Sequence, residues 1–311
     1  MLLNVFLLLV GFVLLVKGAD FFVDGSSSVA KMLGIPGFVI GLTIVAMGTS
    51  APEAAVSISA GIAGSNEIAL SNVVGSNIFN LLVVAGICAV IKPYTIEATL
   101  LKRDFPVNIV ASIALFVFAF IGNRLGYLNG IVLLLCIIAY VAFVVYVAIK
   151  NRDTEGEEIK TMHPALAAVC IVGGLAAVIF GGDLVVDSAV FIAKELGWSE
   201  TFIGLTIIAI GTSLPELVTS VVAATKGESG LALGNVIGSN LFNIFFILGL
   251  SSVLNKIPVN MDGLINIGVL IAVTALVYVW CAIKKGMGRI AGSVCVLGYV
   301  AYTVYLLMFT I

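Results

Sequence analysis

Charged side chains are scarce in this sequence. Asp, Glu, Lys and Arg make up 10% of its 311 residues, where an ordinary soluble domain carries about 25%. That scarcity excludes several classes of function. No basic stripe runs along any segment, so nucleic acid is not an expected partner. One histidine, His163, sits in a polar loop before Pro164 and has no metal-binding neighbour. The five cysteines, Cys88, Cys136, Cys170, Cys281 and Cys295, are scattered through apolar runs. They fit neither a disulfide framework nor a zinc pattern, and read as small buried apolar residues. No Ser/His, Ser/Lys or Asp/Asp set lies deep in an apolar run, so an intramembrane hydrolase is not expected. Enzyme chemistry, a bound cofactor and a protein partner are all unsupported by the sequence.

Apolar residues fill the space that charge leaves. They make up 61% of the chain, and the mean hydropathy is +1.23. No globular core of this length needs so much apolar sequence, so the expected solvent is a lipid bilayer. A membrane span takes roughly 20 apolar residues. The runs between polar breaks give ten spans, at about 2–24, 38–62, 68–91, 105–122, 126–149, 164–187, 201–225, 231–254, 263–283 and 289–310. The fold class is therefore an all-α integral membrane protein. The first run lacks a basic n-region and a small-residue cleavage site, and reads as a retained helix. The longest polar stretch, 150–163, carries Asp153, Glu155, Glu157 and Glu158 without the spacing of an EF-hand loop. It reads as a solvated linker between halves at 1–149 and 164–311.

Basic residues orient the chain. The odd-numbered loops hold Lys31, Lys92, Lys102, Arg103, Lys150, Arg152, Lys160, Lys226, Lys284, Lys285 and Arg289; the even ones hold Arg124, Lys194 and Lys256. The odd loops are thus expected in the cytoplasm and both termini outside, in a cell membrane.

An internal repeat organises the whole sequence. A shift of 163 positions lays residues 18–86 on 181–249 without a gap. Gly41-Leu-Thr-Ile-Val-Ala-Met-Gly-Thr-Ser50 meets Gly204-Leu-Thr-Ile-Ile-Ala-Ile-Gly-Thr-Ser213, and Asn72-Val-Val-Gly-Ser-Asn-Ile-Phe-Asn80 meets Asn235-Val-Ile-Gly-Ser-Asn-Leu-Phe-Asn243. The repeated segments are about 38–91 and 201–254. Copies placed five helices apart cross a membrane in opposite senses, because five is odd. Inverted-topology repeats of this kind are typical of secondary transporters.

The candidate chemistry lies inside the repeat. Spans two and seven are interrupted at Gly48-Thr-Ser-Ala-Pro-Glu53 and Gly211-Thr-Ser-Leu-Pro-Glu216. Proline removes an N–H and clashes with the preceding turn, so the Gly48 carbonyl needs another partner or an ion. Glu53 and Glu216 fall near the middle of their spans, where an ionised carboxylate costs at least ~2.5 kcal/mol unless compensated. No Lys or Arg lies at that depth, which leaves a bound cation or a proton. Thr49, Glu53 and Ser57 share a helical face, as do Thr212, Glu216 and Ser220. Asn72, Ser76 and Asn80 form a second polar stripe, mirrored by Asn235, Ser239 and Asn243. All these donors are hard oxygens, suited to Ca²⁺ or Na⁺. Ser76, Asn80, Ser239 and Asn243 are candidate ligands. Asn72, Asn77, Asn235 and Asn240 read as interhelical glue. Ser50 with Glu53, and Ser213 with Glu216, also fit capping boxes. Asp20, Asp24, Asp183 and Asp187 fall near the ends of spans one and six and read as caps or contacts at the water interface.

In these motifs the chain resembles the sodium/calcium exchanger (cation/Ca²⁺ antiporter) superfamily, prokaryotic branch. The paired motifs carry the resemblance, and the ten-helix plan extends it over the whole chain. It implies a central Ca²⁺ site on Glu53 and Glu216 with backbone oxygens of Thr49 and Thr212. It implies overlapping Na⁺ sites that add Ser76, Ser239, the backbone of Ala46 and Ala209, and the side chains of Thr49, Ser50, Thr212 and Ser213. It also implies that spans one and six slide as a gating pair. The chain departs from close archaeal relatives, which carry an aspartate where Asn243 stands, and it lacks the glutamate typical of the H⁺/Ca²⁺ branch. The expectation is Na⁺-driven Ca²⁺ extrusion, with an H⁺-coupled or K⁺-dependent exchanger as the nearest alternative and a cation channel as a remoter one.

Overall fold

A computed structural model describes residues 1–62, 66–151, 161–198 and 209–309. The described chain is helical apart from four two-residue strands. Helix α1 runs Leu2–Leu33, α2 Gly37–Thr49, α3 Ala51–Ile62 and α4 Glu67–Ile91. Helix α5 covers Leu100–Gly122, α6 Tyr127–Lys150 and α7 Pro164–Glu195. A single turn at Ala209–Gly211 precedes α8, Leu214–Thr225. Helices α9 (Ser229–Leu254), α10 (Met261–Lys284) and α11 (Arg289–Phe309) complete the chain. Among the described residues eight helices are long and apolar enough to cross a membrane, and α2 with α3 would make a ninth as a span bent by 48°. The expected span at 201–225 is described only from residue 209.

Helices α1 and α7 run well past the apolar limits at 24 and 187. Hydropathy falls at Asp20 and Asp24, but nothing there breaks a helix. The backbone stops where Gly34 takes the left-handed conformation at φ 63°, with Gly34 and Ile35 N–H closing on the carbonyls of Lys31 and Ala30. At the start of α7, His163 Nδ1 accepts the Ala165 N–H at 3.3 Å, and Pro164 follows it. His163, given no role from sequence, is therefore a helix cap. The four aspartates stand within helices rather than at their ends, so the capping reading is wrong. Asp20 and Asp24 instead meet Lys226, at 2.6 and 2.5 Å.

The long helices α1 and α7 pack together antiparallel. Gly11 faces Gly181, Gly18 faces Gly174 and Gly25 faces Ala167, so numbers fall on one helix as they rise on the other. Small residues every seventh position make a continuous seam. A Cβ added at Gly18 would stand 2.8 Å from the Gly174 carbonyl oxygen. Only glycine permits that approach, as at small-residue crossings in membranes generally.

Burial separates the middle from the outside. In α4 and α9, 78% and 83% of residues in the apolar windows are buried, against 11–33% in α1, α5, α6, α7, α10 and α11. The two helices that carry the asparagine stripes thus form the centre. The outer helices present Leu, Val, Ile and Phe outward, a surface suited to lipid.

The strands tie the halves together reciprocally. β1 (Tyr94–Thr95) pairs antiparallel with β4 (Gly286–Met287), and β2 (Arg124–Leu125) with β3 (Ile257–Pro258). The loop after α4 is thereby joined to the loop after α10, and the loop after α5 to the loop after α9.

Candidate functional site

The breaks expected at the two proline motifs are present. Between α2 and α3 the chain bends at Ser50, and Ser213 stands at the N-cap of α8 with Pro215 in its first turn. The Gly48 carbonyl, expected to be freed by Pro52, accepts a backbone N–H at the break instead. Ala46 O is likewise engaged, by the Ser50 N–H at 3.0 Å. In the second half the Ser213 N–H goes to Ile210 O rather than to Ala209.

Neither serine caps its own helix. Ser213 makes no side-chain cap bond; its hydroxyl donates to Glu53 Oε1 at 3.0 Å, 3.2 Å from the Ser76 hydroxyl. Ser50 donates to Glu216 Oε1 at 2.7 Å. Each glutamate is therefore held by the serine of the opposite half. The capping-box reading is corrected by this crossing: each hydroxyl donates to a buried carboxylate of the opposite half, where a capping box would have its oxygen accept a backbone N–H of its own helix.

The surrounding amides repeat the same symmetry. Asn72 Nδ2 donates to Glu53 O at 3.3 Å and Ser57 Oγ at 3.0 Å. Asn235 Nδ2 donates to Glu216 O at 3.5 Å and Ser220 Oγ at 2.9 Å. Asn77 and Asn240 donate to each other's backbone carbonyls at 3.1 and 3.3 Å. Asn80 Nδ2 reaches Asn240 Oδ1 at 3.2 Å, and Asn243 Nδ2 reaches Asn77 Oδ1 at 3.0 Å. Thr49 Oγ1 donates to Asn235 Oδ1 at 3.0 Å, and Ser239 Oγ lies 3.5 Å from Glu216 Oε1. Asn72, Asn77, Asn235 and Asn240 hold the two halves and the two breaks in register.

What the network leaves over marks a candidate site. Glu53 Oε2, Glu216 Oε2, Asn80 Oδ1, Asn243 Oδ1 and Thr212 Oγ1 are buried without a hydrogen-bond partner. Both glutamates are fully buried, and no Lys or Arg pairs with either among the described residues. Among those residues no group of three or more His, Cys, Asp and Glu side chains forms, so the anionic charge here is that of two carboxylates. Orphaned buried oxygens of this kind are costly. A hard cation compensates carboxylate and carbonyl oxygens together, and Ca²⁺ accepts six to eight of them.

Helical geometry near the site is also unusual. Helices α4 and α9 switch to π-type bonding at Asn80–Val84 and Asn243–Ile247, segments separated by the same 163 positions. Each π turn begins at the amide whose oxygen is left free. The spacing of four in the stripes Asn72–Ser76–Asn80 and Asn235–Ser239–Asn243 gives no warning of it, because π turns have no composition signal. A further buried orphan, Thr219 Oγ1 on α8, escaped notice because the repeat places Val56 opposite it.

A family model for the sodium/calcium exchanger protein matches residues 3–147 and 166–308. The chain belongs to that family. It is 38% identical over 314 residues to the putative antiporter CaxA of Alkalimonas amylolytica, covering 97% of this chain and 98% of that one. It is 36% identical over 345 residues to the sodium/calcium exchanger MaX1 of Methanosarcina acetivorans, with the same coverage. Among solved structures, the sodium-calcium exchanger NCX_Mj, soaked with zero Na⁺ and Ca²⁺, superposes with a TM-score of 0.87 at 33% identity. That match covers 98% of this chain and 99% of the other. The chain is thus a multi-pass membrane protein and a transporter of the cation/Ca²⁺ antiporter kind.

Proposed function

We propose that this chain exchanges Na⁺ for Ca²⁺ across the cell membrane by alternating access, and extrudes Ca²⁺. The observation that carries the proposal is the pair of fully buried glutamates, each with one oxygen held by a serine of the opposite half and one oxygen free. Two carboxylates neutralise one divalent ion or two monovalent ions. A single site therefore holds either cargo in turn, and each filling discharges the pair for its passage through an occluded state. Glu53 and Glu216 are the main ligands. Asn80, Asn243, Thr49, Thr212, Ser76, Ser239, Ser50 and Ser213, with the backbones of Ala46 and Ala209, supply the remaining oxygens.

The strand pairings support ten spans in two inverted halves. β1 and β4 are hydrogen-bonded and so lie on one side of the membrane. The chain between them must cross an even number of times. Helices α5, α6, α7, α9 and α10 are five crossings, so the segment ending in α8 supplies the sixth. With α2 and α3 as one bent span, the total is ten. The basic residues of the odd loops place β1 and β4 in the cytoplasm, together with the linker at 150–163, and both termini outside. The glycine seam between α1 and α7 supports their moving as one unit against the rest.

The test is Ca²⁺ flux in sealed vesicles under one gradient at a time. An imposed Na⁺ gradient should drive Ca²⁺ movement without K⁺, and Glu53→Gln and Glu216→Gln should each abolish it. Flux driven by a pH gradient alone, or flux that requires K⁺, would overturn Na⁺ as the sole counter-ion. Robust flux in both glutamine variants would overturn the site.

A further inference from the structure

We propose that the protein binds one anionic phospholipid between α10 and α11, with the headgroup on Lys284 and Arg289 and an acyl chain in the slot below. Two adjoining cavities carry the inference. The first, of about 800 Å³, is floored by the β1–β4 pair and rimmed by Lys284, Arg289 and Trp280. The second, of about 470 Å³, is almost wholly apolar and lies between α10 and α11, with Leu82 of α4 at its back. Trp280, Met287, Ile290 and Ala291 line both, so the cationic mouth opens into the apolar slot.

The slot has the depth of one leaflet. Along α10 it runs from Trp280 to Val269, and along α11 from Ile290 to Tyr302. At 1.5 Å per residue these are about 16 and 18 Å, close to half of a hydrocarbon core of ~30 Å. Its floor is buried, while Leu276, Ile290 and Val294 at the rim are exposed. The groove is therefore open sideways to lipid. Gly298 widens it: nothing lies within 4 Å of a Cβ placed there.

The mouth is built for an anion. No carboxylate lines it. Neither Lys284 nor Arg289 has a carboxylate partner among the described residues. Arg289 spends only its Nε, on the Val90 carbonyl at 3.2 Å, which leaves its terminal nitrogens for a phosphate. Trp280 stands where an indole sits at a membrane–water interface. The charge is not inherited from the repeat either, since positions 163 earlier are Ile121 and Gly126. Lys284 and Arg289 lie on the side the basic loops assign to the cytoplasm, whose leaflet attracts basic groups through its anionic lipids. Lipid binding here stands apart from the exchange reaction, and only the leaflet rests on the orientation given above.

The experiment is native mass spectrometry of the full chain released from bilayers of equal phosphatidylglycerol and phosphatidylcholine. Wild type should retain one phosphatidylglycerol per chain, preferred about 10–30-fold over phosphatidylcholine, as two interfacial cations allow. Lys284→Gln with Arg289→Gln should bring the ratio near one, and Lys284→Gln alone should lower it several-fold. Lys285→Gln, which alters an exposed neighbour lining neither cavity, should change nothing. Gly298→Phe should reduce retention of both lipids by filling the slot. Circular dichroism melts check that each variant is folded. The proposal is overturned if wild type shows no preference, if Lys285→Gln lowers it as far as the pair does, or if the chain emerges as a lipid-free dimer that closes the slot.

Discussion

Ser50 of the first half donates its hydroxyl to Glu216 of the second, at 2.7 Å, and Ser213 returns the bond to Glu53 at 3.0 Å. The crossing makes each carboxylate depend on the opposite break for its position. Stability should report it. Ser50→Ala should cost about 1.5–3 kcal/mol, the usual worth of a hydrogen bond to a charged group. In a Glu216→Ala background the cost should largely vanish, and in a Glu53→Ala background it should persist. A double-mutant cycle on thermal unfolding measures both couplings. Coupling of Ser50 to Glu53 instead, as a capping box requires, would falsify the crossed arrangement.

The asparagines divide into two kinds, and Ca²⁺ should tell them apart. Asn77 and Asn240 spend their amide nitrogens on each other's backbones, whereas Asn80 and Asn243 each keep a buried oxygen free. Asn77→Ala and Asn240→Ala should lower the melting temperature equally with and without Ca²⁺. Asn80→Ala and Asn243→Ala should shrink the Ca²⁺-induced rise in melting temperature and weaken Ca²⁺ binding by roughly tenfold, or about 1.4 kcal/mol. Titration calorimetry beside thermal melts checks the separation.

The seam between α1 and α7 gives a purely steric prediction. A methyl group at Gly18 would sit 2.8 Å from the Gly174 carbonyl oxygen, while one at Gly173 would meet nothing within 4 Å. Gly18→Ala should therefore destabilise by about 1–3 kcal/mol through overpacking. Gly173→Ala, on the same pair of helices, should be neutral or slightly stabilising. Thermal melts of the two in the same detergent are the comparison.

Lys226 bridges α8 to Asp20 and Asp24 of α1. All three side chains are partly exposed, so the pairs should contribute no more than ~1 kcal/mol. Lys226→Met should lose that increment at low salt and none at 1 M, where the screening length falls to about 3 Å.

Much of this was legible in the sequence because the repeat and the prolines are local signals. The shift of 163 relates both breaks, both glutamates and both asparagine stripes within the sequence itself. The crossed serines were not legible. A capping box and a bond to the opposite half need the same residue types at the same spacing, and only the packing of the halves chooses between them. Helix ends at Leu33 and Glu195 were missed for a different reason. Hydropathy reports where lipid contact ends, but the backbone continues until a residue such as Gly34 turns it. The π turns at Asn80 and Asn243 leave no trace in composition at all.

Acid should inhibit transport, because the proposed site carries only carboxylate charge. Its anionic charge comes from Glu53 and Glu216, and each has one unpartnered buried oxygen. A proton on either removes half of the charge that would hold a divalent ion. Protons and cations therefore compete for the same atoms, and because the carboxylates share one site their protonation is a property of the pair. Ca²⁺ affinity is therefore highest when both are ionised and falls as pH is lowered through the range where the pair takes up protons. The fall should steepen toward a second-order dependence on proton concentration, since full displacement involves both groups. Glu53→Gln should leave a single titrating group and halve the limiting slope of whatever binding survives. Equilibrium Ca²⁺ binding across a pH series, in wild type and Glu53→Gln, measures both slopes. Binding that stays constant down to about pH 5, near the top of the ordinary carboxylate range, would show that the ion is held by other groups.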